Sequence, residues 1–406
     1  MITIFNKKDC CGCTLCEQVC NKGAISMQRD ETGFLYPVTD ATLCNNCGLC
    51  ERLCPILQDG DKAREPLHTF AVKHKDEKVR MSSSSGGAFS VLAEETILSG
   101  GVVYGAVFNS KWNVEHTRID SIDALGKLRG SKYVQSDLRG IFSKVRKDVM
   151  SGIPVLFSGT PCQVAALHSY LRKPYSNLTT VDFVCHGVPN PRIWEEFLKE
   201  EIKSVKINDS KQPLSVESAI KSINFRDKSH GWVKFFFKIV FNNGKTASKC
   251  TFAWDHTYMR LFLKDFIARP SCHSCRFRCG KSGADYTLGD YWAGARFYPH
   301  FFDDKGVSML LTYGRELPES IKEKTDYIET AFDSAKFGNP ALTADWPRNP
   351  CSGIFYFCHD KIGMRMRHSL WVANCCLNVR SSAVSFSRRQ INRLKRILKR
   401  IIGWQK

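Results

Sequence analysis

The 406-residue chain has no uncharged apolar run of about 18 residues, the length a membrane-spanning helix needs. Its first residues, MITIFNKKDCC, hold neither an apolar h-region nor a small-residue cleavage site. We therefore expect no signal peptide and a reducing, cytoplasmic setting. No G-x-G-x-x-G is present, so an ordinary dinucleotide-binding turn is not indicated. Acidic residues stop at Asp360, while positions 361 to 406 hold twelve Lys and Arg. Twelve of the nineteen net positive charges thus belong to the tail, leaving seven for the rest. Apolar residues at 43% and charged residues at 24% are near globular averages, which excludes a disordered or fibrous chain. The length predicts two or three domains.

What is abundant is cysteine. Nineteen thiols are far too many for a reducing compartment unless they hold metal, because disulfides are rare there. Cys10, Cys13, Cys16 and Cys20 recur as Cys44, Cys47, Cys50 and Cys54, each displaced by 34 residues. Both halves read C-x2-C-x2-C-x3-C, the bacterial dicluster spacing in which the fourth cysteine serves the other cluster. This assigns Cys10, Cys13, Cys16 and Cys54 to one 4Fe-4S cluster, and Cys44, Cys47, Cys50 and Cys20 to a second. Four thiolates also suit zinc, but zinc ribbons use C-x-x-C pairs rather than two triplets each followed by a fourth cysteine. Pro55 follows the second run, whereas Asn21 stands at the equivalent place in the first; Cys11 is out of register and reads as a spare thiol. The segment AISMQRDETGFLYPV between the halves predicts a hairpin turning at Thr32-Gly33. With about −2 on each oxidised cluster, the net charge drops to about +15, still basic.

Beyond a polar linker, QDGDKAREP, strand-like runs alternate with helical ones: TFAVK, then a helix with Phe89, Leu92, Ala93 and Ile97 on one face, VVYGAVF, IPVLF, GTPCQVAALHSYL and TTVDFVCHG. The pattern predicts a layered α/β domain. Residues 220 to 260 alternate and contain Asn-Gly-like turn signals, which predicts an antiparallel hairpin. Cys162 enters a helix after one strand and Cys185 closes the next, so both fall at one sheet edge, where the pair Cys272 and Cys275 completes four candidate ligands. The alternative is that Cys162 and Cys185 are small buried hydrophobes. Cys250, Cys279, Cys351, Cys358, Cys375 and Cys376 have no such context and read as structural. The run SSSSGGAF, residues 82 to 89, offers backbone N–H groups ahead of a helix, either as a phosphate cradle or as a plain N-cap.

These strings, in order, carry a resemblance. SSSSGGAFSVLAEETILSGGVVYGAVF, LRGSKYVQS, VLFSGTPCQVAAL, VDFVCHGVPNPRIW, INFRDKSHGW, CHSC and ADYTLGDYW resemble the coenzyme F-420 hydrogenase/dehydrogenase beta subunit family over roughly residues 1 to 315. The resemblance implies FAD with a third 4Fe-4S cluster beside it, and electron exchange between clusters and a two-electron substrate such as the deazaflavin coenzyme. Carried over by motif, Cys162, Cys185, Cys272 and Cys275 would hold that cluster. Ser85, Gly86, Gly87, Ser131, Lys132 and Tyr133 would touch the flavin. His186 could donate a proton there, or could bond a backbone carbonyl instead. Asp285 and Asp290 read as loop-holding turn residues.

The expected fold is thus an α+β ferredoxin-like dicluster module at 1–60 and a layered α/β flavin-binding domain divided at 67–155 and 156–318. Residues 319–386 stay unassigned, and a basic amphipathic helix occupies 387–406. In SRRQINRLKRILKRIIGWQK, Ile391, Leu394, Ile397, Leu398, Ile401 and Ile402 line one face. Such a helix suits anionic headgroups at the inner membrane face, or packing on this chain or a partner; no nucleic acid is expected. The expected activity is that of an iron-sulfur flavin-dependent oxidoreductase served by an acidic donor such as ferredoxin or flavodoxin. The alternative is an electron-carrier subunit docked to a catalytic partner, with cell-surface polysaccharide assembly as one setting.

Overall fold

The computed structural model describes residues 2–4, 6–58, 62–204, 215–242 and 248–381. The expected basic helix at 387–406 lies outside them. The chain forms two compact units, one of Met1–Ala253 with Ala268–Trp346, the other of Trp254–Ile267 with Pro347–Lys406. No helix among the described residues is long and apolar enough to cross a membrane.

Chain order in the first unit is β1 (Ile25–Arg29), β2 (Leu35–Thr39), β3 (His68–His74), β4 (Val102–Phe108), β5 (Val114–Ile119), β6 (Val155–Ser158), β7 (Leu178–Phe183), β8 (Ile220–Asp227), β9 (Phe236–Phe241), β10 (Ser248–Phe252), β11 (Tyr286–Asp290), β12 (Ser308–Thr312) and β13 (Thr325–Glu329). Eight of these make one mixed sheet in the order β13-β3-β12-β11-β7-β6-β4-β5. Its centre, β11, β7, β6 and β4, is parallel. Inner strands of the sheet are covered on both faces: VLFS of parallel β6 is buried at three of four positions, and SMLLT of antiparallel β12 at all five. By contrast, FFKIVF of β9 alternates half-buried and buried, as suits a sheet covered on one face. The expected hairpin at 220–260 is accordingly a three-stranded antiparallel sheet, β10-β9-β8.

The division at residue 155 does not appear as a break, since β3 to β6 and β7, β11, β12 and β13 interleave in one sheet. Part of the unassigned stretch, Thr325–Glu329, is an edge strand paired with β3. Only the part from Pro347 onward helps build the second unit, where the helices Thr257–Leu263, Ser352–Tyr356 and Met366–Ser381 run and Cys351 and Cys358 are buried. Cys250, read as structural, is exposed on its edge strand.

The N-terminal module is not a bead on a linker. Its hairpin pairs Ile25 with Thr39 through Arg29 with Leu35 and turns where Gly33 N–H donates to Asp30 O (2.9 Å). Leu15, Val19, Ile25 and Met27 share one buried cluster with Leu138, Ile141, Phe142, Val145 and Phe157 of the α/β layers. Gln18 Nε2 donates to Leu138 O (3.0 Å), while its Oε1 accepts from Phe142 N (2.9 Å). Arg29 forks onto both carboxylate oxygens of Glu195, at 2.9 and 2.6 Å. Together the apolar patch and these bonds fix the module's orientation on the sheet.

Gly86 shows how tightly the Ser-Gly run is seated. A Cβ there would lie 2.1 Å from Val72 O and 2.5 Å from Ser308 N, both backbone atoms of the sheet. Gly126, at a helix end with nothing within 4 Å of its Cβ position, is the control. Gly86→Ala is expected to lower the unfolding free energy by about 3 kcal/mol or more, from overpacking against immovable backbone. Gly126→Ala should stay within about 0.5 kcal/mol of wild type. Denaturant titration of the two variants checks this.

Candidate functional site

The 34-residue repeat is written into the backbone. Gly12 and Asn46 have φ of 68° and 56°, and Thr14 and Gly48 have φ of 64° and 70°. Each half therefore makes two left-handed turns among its cysteines before a short helix, Leu15–Val19 or Leu49–Arg52. Burial pushes the Cys16 thiol well above its usual range, and the nearness of Cys10 and Cys54 adds to it. For Cys13 a hydrogen bond with Cys11 lowers the thiol, but burial together with Cys16 and Cys54 raises it on balance. Cys54 is raised by burial first, with Cys10 and Cys50 also contributing. Cys54, from the second half, thus stands among Cys10, Cys13 and Cys16. On the other side, Cys50 is buried, Cys20 and Cys44 are half-buried, and Cys47 is exposed.

A second gathering of thiols lies at the carboxyl ends of the parallel strands. Because β6 and β7 are parallel neighbours, Cys162, opening the helix Pro161–Leu171, and Cys185, two residues past β7, fall at one edge. The helix start is fixed by a capping box of Thr160 and Gln163, and Thr160 Oγ1 lies 3.1 Å from Cys162 Sγ. Cys272 sits in the turn Pro270–Ser274 and Cys275 ends it. Val188 N–H donates to Cys272 Sγ (3.4 Å). Burial raises Cys185, with Cys272, Cys162 and Cys275 adding to it. Burial likewise pushes Cys272 up to about 12. A cavity of about 530 Å³ is lined by all four and by Cys11.

Cys11 is therefore not an idle spare. Its thiol is raised first by a hydrogen bond with Cys13, lowered by one with Cys162, and raised again by burial. It stands between the two gatherings. The register in the sequence placed it outside the ferredoxin set, and only the docking of the module shows what it faces.

The donor chemistry fits iron-sulfur clusters. Crowded, buried thiols resist ionisation unless a cationic core accepts them as thiolates, whereupon the same crowding becomes a ligand set. Among the described residues no group of three or more Cys, His, Asp or Glu is arranged to hold a single metal ion. One zinc ion with bonds of about 2.3 Å draws its sulfurs closer together than a four-iron cage does.

The candidate flavin residues are partly brought together. Ser84 Oγ accepts from Ser131 N–H (2.6 Å) and lies 2.9 Å from Ser131 Oγ, which joins the Ser-Gly run to the Ser131-Lys132-Tyr133 loop. Gly86 N–H, expected to be free for a ligand, is instead taken by Ser308 Oγ (2.9 Å), and the Ser85 hydroxyl by Val307 O (2.7 Å). Gly87, with φ of 96°, precedes the helix Ala88–Leu98 without a side-chain cap. Lys228 reaches up to this run, donating to Ser85 O (2.7 Å), Arg80 O (2.8 Å) and Lys305 O (2.9 Å). Lys132 donates to Gly130 O and Arg129 O, both at 3.1 Å. Burial pulls both lysines down to about 7. Tyr133 OH accepts from Arg226 NH1 (3.2 Å). His186 packs on Trp346, ring centroids 5.2 Å apart.

Two of the arginines that matter most carried no spacing signal. Arg226 pairs with Asp290 (2.7 Å) and lies 4.0 Å over the Phe235 ring. Asp290, read as a turn residue, is thus an ion-pair partner that also accepts from Trp232 Nε1 (3.2 Å). Asp285 accepts from Thr180 N–H (2.7 Å) and Arg315 Nε (2.9 Å), clamping β7 to β11. The second missed arginine, Arg269, is wholly buried beside Cys10.

Residues 9–56 match the family described as 4Fe-4S dicluster domain, and residues 154–333 match the carboxyl-terminal part of the coenzyme F420 hydrogenase/dehydrogenase beta subunit. The chain thus carries an iron-sulfur dicluster segment of the ferredoxin kind, and its central segment matches that beta subunit family. It is 30% identical over 161 residues to the F subunit of the F(420)H(2) dehydrogenase of Methanosarcina mazei, a match covering 36% of this chain and 45% of that protein. It is 38% identical over 52 residues to an uncharacterised ferredoxin of Methanocaldococcus jannaschii, covering 13% of this chain and 66% of the ferredoxin. The chain thus spans less than two thirds of either relative. A chain of the F420-reducing NiFe hydrogenase complex of Methanosarcina barkeri aligns over 70% of this chain and 92% of its own length, with a TM-score of 0.45 and 13% identity.

The grouping of Cys54 with the first half makes a prediction. Cys54→Ser should bleach the cluster assigned to Cys10, Cys13 and Cys16, and Cys20→Ser the one assigned to Cys44, Cys47 and Cys50. Each should remove up to about four irons, read by iron analysis and electron paramagnetic resonance of the full chain. Loss of the local cluster in each case would reverse the assignment.

Proposed function

We propose that this chain is an iron-sulfur flavoprotein oxidoreductase, in which electrons pass between the two ferredoxin clusters, a third cluster held by Cys162, Cys185, Cys272 and Cys275, and FAD. The observation that carries the reading is the placement of two thiol gatherings on either side of Cys11 within one compact unit. Bound FAD would supply the conversion between single electrons and the paired transfer that a hydride-accepting substrate requires. The residues of the chain supply position and charge. The Ser84–Ser131 junction, the uncapped helix end at Gly87 and the buried Lys132 and Lys228 suit an anionic phosphate group. His186, next to Cys185 and held against Trp346, is the candidate proton carrier. The substrate class is a two-electron acceptor or donor of the deazaflavin kind. Ferredoxin or flavodoxin is the proposed donor, in the cytoplasm, with residues 387–406 making peripheral contact at the membrane.

A second reading has one specific support. The Methanosarcina mazei relative is named as one subunit of a dehydrogenase, so this chain would likewise be an electron-carrying subunit whose substrate site is completed by a partner.

The test is composition and pH. Anaerobically prepared full-length protein should hold about twelve irons, as three four-iron clusters, and one flavin. Cys162→Ser should hold about eight and unfold more readily, because three distant segments lose their common anchor. Eight irons in both proteins would remove the third cluster. Flavin retention should weaken as pH rises through about 7. The buried Lys132 is charged below that pH and neutral above it, so the attraction to phosphate is present below and lost above. Lys132→Met should reduce this dependence to the part carried by Lys228, measured by flavin fluorescence after gel filtration.

A further inference from the structure

Arg269 is the most completely buried charge beside the thiols, with no exposed surface at all. Its Nε donates to Cys10 O (2.8 Å), one terminal nitrogen to Gln135 Oε1 (3.1 Å), and the other to Leu35 O (2.8 Å) and toward Cys10 Sγ (3.6 Å). The guanidinium carbon lies 4.4 Å from the Tyr36 ring centroid and 5.2 Å from that of Phe34. Among the described residues no carboxylate forms an ion pair with it. A guanidinium keeps its proton inside a protein, so it cannot escape burial by becoming neutral. A buried, unpaired charge is strongly destabilising. Neutral oxygen acceptors satisfy its hydrogens but not its charge. Tyr36, against which it stacks, is kept protonated by burial, so the one group it hydrogen-bonds that can carry negative charge is the Cys10 sulfur, and its field also reaches Cys162 and Cys272.

Gly12 gives a second, independent sign. A Cβ at that position would lie 2.6 Å from an Arg269 nitrogen and 2.8 Å from its central carbon. The equivalent residue of the other half is Asn46, which does carry a side chain. At this position the first cysteine loop is bare backbone where the cation presses against it, whereas the second carries a side chain there and has its own glycine two residues on, at Gly48, whose Cβ would lie 3.0 Å from an Arg52 nitrogen.

We propose that Arg269 is the internal counter-cation of the cluster held by Cys10, Cys13, Cys16 and Cys54, and that its charge makes this cluster easier to reduce than its twin. This rests on the iron-sulfur reading above. Adding an electron to a thiolate-bound cluster adds negative charge, which an adjoining buried cation stabilises more in the reduced form than in the oxidised one.

The experiment is a redox titration of full-length, anaerobically reconstituted protein, followed by electron paramagnetic resonance with iron analysis, for wild type, Arg269→Lys and Arg269→Gln. The expected result is full iron in all three. In the Gln variant alone, the reduced-to-oxidised ratio of one cluster at fixed potential should fall at least tenfold, equivalent to about 59 mV for one electron. The Lys variant, which keeps the charge, should stay within about threefold. Loss of that cluster in the Gln variant with retention in the Lys variant would support the same conclusion. Full iron with unmoved potentials would overturn this inference alone, as would equal loss of iron from both variants, which marks a packing role. Wild-type protein that takes up no iron would overturn the cluster reading and this inference with it.

Discussion

The structure depends on getting negative sulfur into a buried place. Thiols pressed together away from water stay protonated, and a protonated gathering of cysteines stabilises nothing. Only when a cationic core draws off the protons does the same crowding become cohesion. The sheet edge, the turn Pro270–Ser274 and the two cysteine loops each end on such a sulfur. On the proposed reading, folding at this junction and loading of its clusters would be one process, and the apolar contacts of Leu15, Val19 and Met27 with Phe142 and Phe157 bring the segments close.

The layered sheet serves that end. Parallel β6 and β7 deliver two consecutive loops to one edge without any long excursion, and β11, paired to β7, keeps the later cysteine segment close in space. Asp285, clamping Thr180 and Arg315, secures this pairing at its start. The Ser-Gly run lies farther along the same sheet, seated between β3 and β12 by a glycine that no side chain could replace. Its close packing explains Gly86 without any ligand, whereas Ser84 and Ser131 face one another as a polar junction.

Much of this was legible in the sequence. The period of 34 revealed the module's two halves because ligand spacing is set by the geometry of a cluster loop, which local sequence must encode. Apolar runs at VVYGAVF and IPVLF marked strands because both sheet faces are covered. What stayed hidden depended on long-range packing. Arg269 is separated from Cys10 by 259 positions, and nothing in RPSCHSC says that its arginine is interior. Cys11 looked redundant because register describes only the module, not what the module is pressed against. Thr325–Glu329 went unassigned because an edge strand of five residues, exposed or half-buried at four of them, has almost no apolar signature.

The unequal exposure of the repeat's two halves has a consequence of direction. By sequence the module is nearly symmetric, with Gly12 answering Asn46 and Thr14 answering Gly48. Docking breaks that symmetry: Cys13 and Cys16 are shut inside, while Cys47 remains at the surface. A duplicated loop that began with interchangeable ends has acquired a mouth and a throat. On the proposed reading, a molecule exchanging electrons with the module by surface contact would meet Cys47, exposed among the described residues, while Cys13 and Cys16 lie on the side of Cys11 and the sheet edge.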